Sequence, residues 1–224
     1  MKKLVIYSGG LDSTAMSIIS KNEIDEIVLM SFDYGQKAKT ELERAKEFAN
    51  KNGFKWVVQD VSSLKFIFGK TQLTDDSQEI KNDYKQNVVV PLRNALFLQI
   101  AMIYAYTNGF DEVLLGSHLD DCKEVDGERM FPDCSPEFFK SFELAMDMGT
   151  FRKDKKVRIV TPSILGLGKT ELIRMACSKD AQSIYKSWSC YKSGEKQCGV
   201  CDSCKNRKNA FLAAGIEDKT EYEQ

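Results

Sequence analysis

The chain predicts an α/β fold of the doubly wound, parallel-sheet type, followed by a small C-terminal module. Three observations predict it. Short β-branched apolar runs alternate with helical segments along most of the 224 residues. A Gly-Gly turn stands between the first such run and the first helix. From about Tyr185 the composition changes to Cys, Gly, Lys and Ser. These boundaries divide the chain into an α/β domain over 1–184 and a tail over 185–224.

The elements follow in order. Lys2–Tyr7 is a β-branched run that stops at Ser8-Gly9-Gly10, too soon for the apolar core of a signal peptide, so it reads as the first strand. Ser13–Asn22 reads as a helix, and Glu26–Phe32 as a strand apolar enough to be covered on both faces. Thr40–Asn52 is helical and stops at Gly53, and Lys55–Asp60 is a third strand. Lys65–Gln86 is polar and aperiodic, an expected insertion or flap. Asn94–Asn108 is apolar on nearly every side and predicts a central, buried helix. Glu112–Gly116 is a fourth strand, and Ser135-Pro136-Glu137 opens a helix with Ser at the N-cap and Pro at N1. Arg158–Thr161 is a fifth strand with the helix Lys169–Ser178 behind it. Strand–helix alternation at this spacing implies right-handed crossovers.

The glycine turn carries the first chemistry. Tyr7-Ser8-Gly9-Gly10-Leu11-Asp12-Ser13-Thr14 leaves a strand and enters a helix. Glycine admits close ligand approach, and the first N–H groups of a helix converge with its dipole on one anion. Ser8 and Ser13 add hydroxyl donors, and Asp12 suits a Mg²⁺ ion bridging phosphates. A plain turn is the competing reading of the glycines alone; the full Ser-Gly-Gly-x-Asp-Ser string resembles the PP-loop of enzymes that cleave ATP between the α and β phosphates. A second stretch, Ser163–Thr170, falls short of a Walker A loop at its first position. Lys169 is expected to reach the ATP phosphates from another side, against the simpler reading of a solvated lysine.

The second chemistry lies in the tail. Cys190, Cys198, Cys201 and Cys204 follow a C-x7-C-x2-C-x2-C pattern, and four thiolates in tight turns make a closed tetrahedral site for structural zinc. Paired disulfides and an iron–sulfur cluster use the same residue type, but no secretion signal precedes the chain and no Pro follows the last cysteine. Cys177 reads as core, and Cys122 and Cys134 form no second cluster by spacing. His118, the only histidine, reads equally as a satisfied polar residue or as part of a ligand edge. A cytoplasmic location follows from the cysteine usage. Thirty-two basic against thirty-three acidic residues leave no basic excess, so a small-molecule substrate is favoured over nucleic acid, and no run is long enough to enter a membrane.

These pieces together resemble the 7-cyano-7-deazaguanine synthase family of the PP-loop superfamily, over the whole chain. The resemblance rests on Ser8–Ser13, Asp33-Tyr34-Gly35-Gln36 with Glu41-Leu42, Val90-Pro91-Leu92-Arg93-Asn94, Phe131-Pro132-Asp133-Cys134-Ser135-Pro136-Glu137-Phe138, Gly166–Glu171 and the cysteine tail. Phe131 replaces a Tyr and Gly168 a common Ser of the family pattern. The resemblance implies ATP, Mg²⁺ and Zn²⁺ as cofactors, 7-carboxy-7-deazaguanine and ammonium as substrates, and a homodimer. It implies adenylation of the carboxylate, capture by ammonia, and a second ATP-driven activation that yields the nitrile. Asp12, Ser13, Arg93 and Lys169 are the expected catalytic residues. Arg93, Asn94, Asp133 and Glu137 are expected on the substrate, with capping or surface pairing as the plainer roles of Arg93, Asp133 and Glu137. Adenine is expected on backbone near Leu29–Ser31. A tRNA thiolation or lysidine-forming enzyme, a paralogue adenylating another acid, and a zinc-ribbon binding module are the rival readings. Lys186–Lys208, with six basic and two acidic residues, supports the last.

Overall fold

The computed structural model describes residues 1–22, 25–38, 40–68, 71, 77, 90–125, 128–151 and 156–224. Most of the expected Lys65–Gln86 insertion lies outside the described residues. Strands β1 (Lys2–Ile6), β2 (Glu26–Asp33), β3 (Lys55–Asp60), β4 (Glu112–Leu114) and β7 (Arg158–Val160) form one parallel sheet in the order β3-β2-β1-β4-β7. The short β5 (Glu124–Val125) and β6 (Glu128–Arg129) make a separate antiparallel hairpin.

Six α-helices are described: α1 (Leu11–Ile19), α2 (Thr40–Asn52), α3 (Arg93–Asn108), α4 (Pro136–Met148), α5 (Lys169–Lys186) and α6 (Asp202–Ala214). Alternate strand residues face opposite layers. Leu4 and Ile6 of β1 join Val28, Met30, Val113 and Ile159 under α3 and α4. Val5 and Tyr7 join Leu29 and Leu114 under α1, α2, α5 and α6. Burial of both faces explains why the strands read as continuous apolar runs rather than as alternations.

Two expectations need correction. Helix α3 is not buried on all sides: Phe97, Leu98, Ala101, Met102 and Ala105 pack inward, while Ile103 is 57% exposed. It lies flat on one face of the sheet, so only one stripe is covered. Helix α5 spans Lys169–Lys186 but is broken close to the expected end at Ser178: Asp180 takes non-helical angles, and its carboxylate accepts the Ser183 N–H at 3.1 Å, capping a second helical stretch that the expectation did not include. The helix therefore carries past residue 184, and Ser187 is its C-cap.

Arg207 of α6 holds the tail to that end. Its side chain is fully buried. The guanidinium donates to the carbonyls of Ile184 (2.6 Å) and Ser187 (3.2 Å) and to the hydroxyls of Ser189 (3.0 Å) and Thr220 (3.0 Å).

The strand order reverses direction between β1 and β4, so the crevice beyond their carboxyl ends is where ligands bind in such sheets. Gly116, after β4, fits against the phosphate turn: a Cβ there would meet the carbonyl carbon of Asp12 at 2.7 Å and the Ser13 nitrogen at 2.8 Å. Both are backbone atoms at the start of α1, and neither can rotate away. Gly116→Ala is expected to cost about 1–3 kcal/mol, the usual range for overpacking. Urea unfolding with and without Mg-ATP measures it, and nucleotide should recover less stability in the variant than in the parent.

Candidate active site and cysteine centre

A cavity of about 340 Å³ opens at this crevice. Its floor is the turn from Tyr7 to Ser13. Gly10 is the N-cap of α1, and no side chain caps the helix. The first N–H groups of α1 are thus left for a ligand, as an anion cradle requires. The Ser8 and Ser13 hydroxyls lie 3.2 Å apart at its edge. Gly9, at φ +82°, presses on the Glu41 carbonyl so closely that no Cβ fits. Tyr7 and Thr14 instead face inward, their hydroxyls paired at 2.9 Å.

Asp12 and Lys169 meet here. Lys169 Nζ lies 3.0 Å from Asp12 Oδ2, although 157 residues separate them. The lysine is positioned because Gly168 is the N-cap of α5 and the Lys169 N–H donates to Asp120 Oδ2 at 2.7 Å. The reading of Lys169 as a merely solvated side chain is thus set aside. Burial works to raise the Asp12 carboxyl, but Lys169 and then His118 outweigh it and hold it well below the usual carboxylate range. Asp12 Oδ1 has no hydrogen-bond partner. A buried, ionised oxygen left open beside a phosphate cradle fits a hard cation.

His118 is the structural answer to an open question in the sequence. It is 3% exposed, with Asp12 Oδ1 3.6 Å from Nε2 and Asp121 Oδ2 3.5 Å from Nδ1. Neither ring nitrogen makes a hydrogen bond. Burial lowers its pKa, yet Asp12 and Asp121 prevail over burial and over Lys169, and the net shift is upward.

On the opposite wall, Leu92 adopts a left-handed conformation (φ 53°) immediately before Arg93. Arg93 Nη1 donates to the Tyr34 hydroxyl at 3.1 Å, and the guanidinium lies over the Tyr34 and Phe97 rings. Its Nε is buried without a partner. Asn94 donates its backbone N–H to Asp133 Oδ2 at 3.2 Å and its side-chain amide to Cys134 Sγ at 3.3 Å. Burial raises the Asp133 carboxyl, against the Asn94 N–H and Arg93. Asp133 is therefore both a cap for α3 and part of the lining.

The remaining expected residues divide. Glu137 stands outside the lining, 74% exposed and 3.7 Å from Arg129. Leu29, Met30 and Ser31 lie within the paired part of β2, and the cavity meets this segment only from Phe32 onward. The Ser31 hydroxyl is spent on the Tyr7 carbonyl at 2.6 Å. Sequence reasoning overlooked Glu41, Tyr34, Ser117 and Trp188, all in the lining. The first two stood in quoted motifs without a role; nothing local marks the other two, which arrive through the topology.

The tail gathers its four cysteines. The sulfurs of Cys190, Cys198, Cys201 and Cys204 all lie within 4.8 Å of one another, buried, with Cys190–Cys201 at 3.9 Å and Cys198–Cys204 at 4.0 Å. A tetrahedron with metal–sulfur bonds of about 2.3 Å has an edge near 3.8 Å, so the set fits a metal ion. The thiols of Cys190 and Cys204 favour a thiolate at Cys201, whose pKa falls far below the usual thiol value. The same tail touches the glycine turn: the Trp188 backbone N–H donates to the Gly9 carbonyl at 2.9 Å.

Comparison with known proteins agrees with this geometry. A family model described as "Queuosine biosynthesis protein QueC" matches residues 2–215. The chain belongs to the QueC family. Among its relatives, a 7-cyano-7-deazaguanine synthase of Thermoplasma acidophilum is 36% identical, covering 100% of this chain and 92% of the relative. Another of that name from Acetivibrio thermocellus is also 36% identical, covering 99% of this chain and 97% of the relative. A 4-thiouridine synthetase crystallised with RNA and ATP shares the fold, with a TM-score of 0.50 at 12% identity over 96% of this chain and 50% of that one. Family membership supports the PP-loop α/β architecture with a four-cysteine tail. Among the described residues, no helix is long and apolar enough to cross a membrane.

Two outcomes follow. A raised histidine contributes stability in full below its unfolded value, about 6.5, and loses it as pH rises through the folded value. In nucleotide-free protein, His118→Gln should cost more stability at pH 6 than at pH 9, read from urea titrations. Removing the metal from metal-loaded protein should release the tail, with a red shift in emission from Trp188, now 2% exposed; a Cys201→Ser variant should show the shifted spectrum from the outset.

Proposed function

We propose that this chain converts 7-carboxy-7-deazaguanine and ammonium to 7-cyano-7-deazaguanine, consuming ATP and releasing AMP and diphosphate. On this reading it is a ligase that forms a carbon–nitrogen bond. One observation carries the proposal: the uncapped phosphate turn, the Asp12–Lys169 pair, Arg93 and Asp133 line a single cavity in a chain of the QueC family.

The ATP triphosphate lies on the N–H groups of Gly9 to Ser13, with Tyr7 and Thr14 bracing the turn from below. The substrate carboxylate attacks the α-phosphate, so the protein supplies no nucleophile. Its task is to bring anion to anion, and Lys169, Arg93 and the turn N–H groups offset that repulsion. Mg²⁺ held at Asp12 would neutralise charge on the phosphates. Arg93 faces the substrate carboxylate, and Asp133 with Asn94 faces the N–H edge of the base, carboxylates being good acceptors for paired donors. Glu137 takes a part only by moving in from the surface when the base binds. The cysteine set suits Zn²⁺, which needs four soft ligands in a closed tetrahedron. We assign residues 1–184 to catalysis and 185–224 to the zinc module, and place the enzyme as a homodimer in the cytoplasm.

The test is incubation of metal-loaded protein with Mg-ATP, ammonium and the acid, following the base by mass spectrometry. The nitrile should appear with AMP and diphosphate; AMP release with the base unchanged would move the substrate elsewhere. Lys169→Ala should lower kcat/KM by about 10²–10³-fold, the scale of one lost charge-stabilising contact. Arg93→Lys should raise the KM for the acid more than it lowers kcat, because a planar fork is exchanged for a point charge.

A further inference from the structure

Capture of an acyl-adenylate by ammonia has a requirement that the groups assigned so far do not meet. At neutral pH the nitrogen arrives mainly as ammonium, which has no lone pair. Lys169 and Arg93 are cations and cannot take its proton. Each carboxylate already given a role accepts at least one hydrogen bond: Asp12 from Lys169, which with His118 also keeps it too weak a base, Asp133 from the Asn94 N–H, and Asp121 from the His118 backbone N–H.

Glu41 is the lining carboxylate that remains. It stands in the first turn of α2. Its backbone carbonyl fills the space where Gly9 would carry a side chain, which fixes it against the phosphate turn. The charged and titratable neighbours acting around it are Arg93 from α3 and Tyr34 after β2, and Asp133 also acts on that guanidinium. Among the described residues its carboxylate makes no hydrogen bond or ion pair, and it lines the cavity between the turn and Arg93.

We infer that Glu41 is the catalytic base that generates ammonia in this cavity, an inference resting on the function proposed above. The step balances. An N–H bond of ammonium breaks and its proton goes to the Glu41 carboxylate. The freed lone pair forms the C–N bond at the acyl carbon, and the C–O bond to AMP breaks with its electron pair leaving on AMP. The surplus proton on the new amide nitrogen passes to the departing phosphate, and Glu41 returns its own proton to solvent. Burial, which Arg93 only partly opposes, pushes the Glu41 carboxyl up to about 7, closer to the operating pH at which a base works best.

The experiment compares wild type, Glu41→Gln and Glu41→Asp in two assays. The first is acid-dependent exchange of diphosphate into ATP without any amine. The second is product formation with ammonium or with hydroxylamine, which is mostly neutral at pH 7 and needs no base. Glu41→Gln should keep exchange and hydroxylamine capture within about threefold, yet lose about 10²–10⁴-fold of ammonium-dependent product, the range of general-base effects. Glu41→Asp should fall between. Equal losses with both nucleophiles, unchanged rates, or a raised KM for the acid with kcat intact would each overturn the assignment. The last would make Glu41 a recognition group. Wild type lacking acid-dependent exchange would instead overturn the functional reading, and this inference with it.

Discussion

Much of the molecule depends on one steric constraint, the contact of backbone on backbone around the phosphate turn. Gly9 admits the Glu41 carbonyl from α2, and Gly116 admits the Asp12–Ser13 peptide from the end of β4. Neither contact leaves room for a methyl group. Three elements that are far apart in sequence are thereby packed at van der Waals distance around one set of N–H donors. A loop held on both flanks keeps its donors aimed before any ligand arrives, and this preorganisation is what charge stabilisation in a site requires. The glycines therefore do more than permit a turn: they let the sheet edge close on it.

The charges in the cavity form a second layer of order. Carboxylates and cations alternate around its wall: Asp12 with Lys169 and His118 on one side, Arg93 with Glu41 and Asp133 on the other. The lining carries more carboxylates than cations, Asp12, Glu41, Asp121 and Asp133 against Arg93 and Lys169, so an incoming polyphosphate and carboxylate would depend on those cations being in place. Among the described residues, Arg93 Nε, Asp12 Oδ1 and both ring nitrogens of His118 are buried without a hydrogen-bond partner. Buried polar atoms of this kind are costly to leave open. Here they gather on residues that line or border one cavity.

The sequence was most legible where one residue type has one physical use. Thr40–Asn52 and Lys55–Asp60 match the structure to the residue, because Gly53 ends the helix and Trp56, Val57 and Val58 centre the strand. The glycine turn and the cysteine set stood out in the sequence, and the structure gives the turn its close backbone approach and brings the four sulfurs together. Legibility failed where tertiary context decides. The apolar character of α3 concealed an exposed flank, and the helical stretch that Asp180 caps beyond Ser178 left no local signal. His118 could not be placed because its surroundings come from three separate segments. Glu41, one acidic residue in a charged helix, becomes notable only once α2 is seen lying on Gly9.

The hydrogen bond from Trp188 to the Gly9 carbonyl has a consequence beyond packing. It joins the cysteine tail to the backbone of the glycine turn, while Ser189, Tyr191 and Ser203 add tail atoms to the cavity wall. Two binding events then share one ordered segment. An ion seated among the cysteines lowers the cost of ordering the turn, and a nucleotide seated on the turn lowers the cost of ordering the cysteines. Such coupling is reciprocal by thermodynamic necessity. On the function proposed above, the tail would serve as a thermodynamic lever as well as a clamp, metal and nucleotide each raising the apparent affinity of the other without touching.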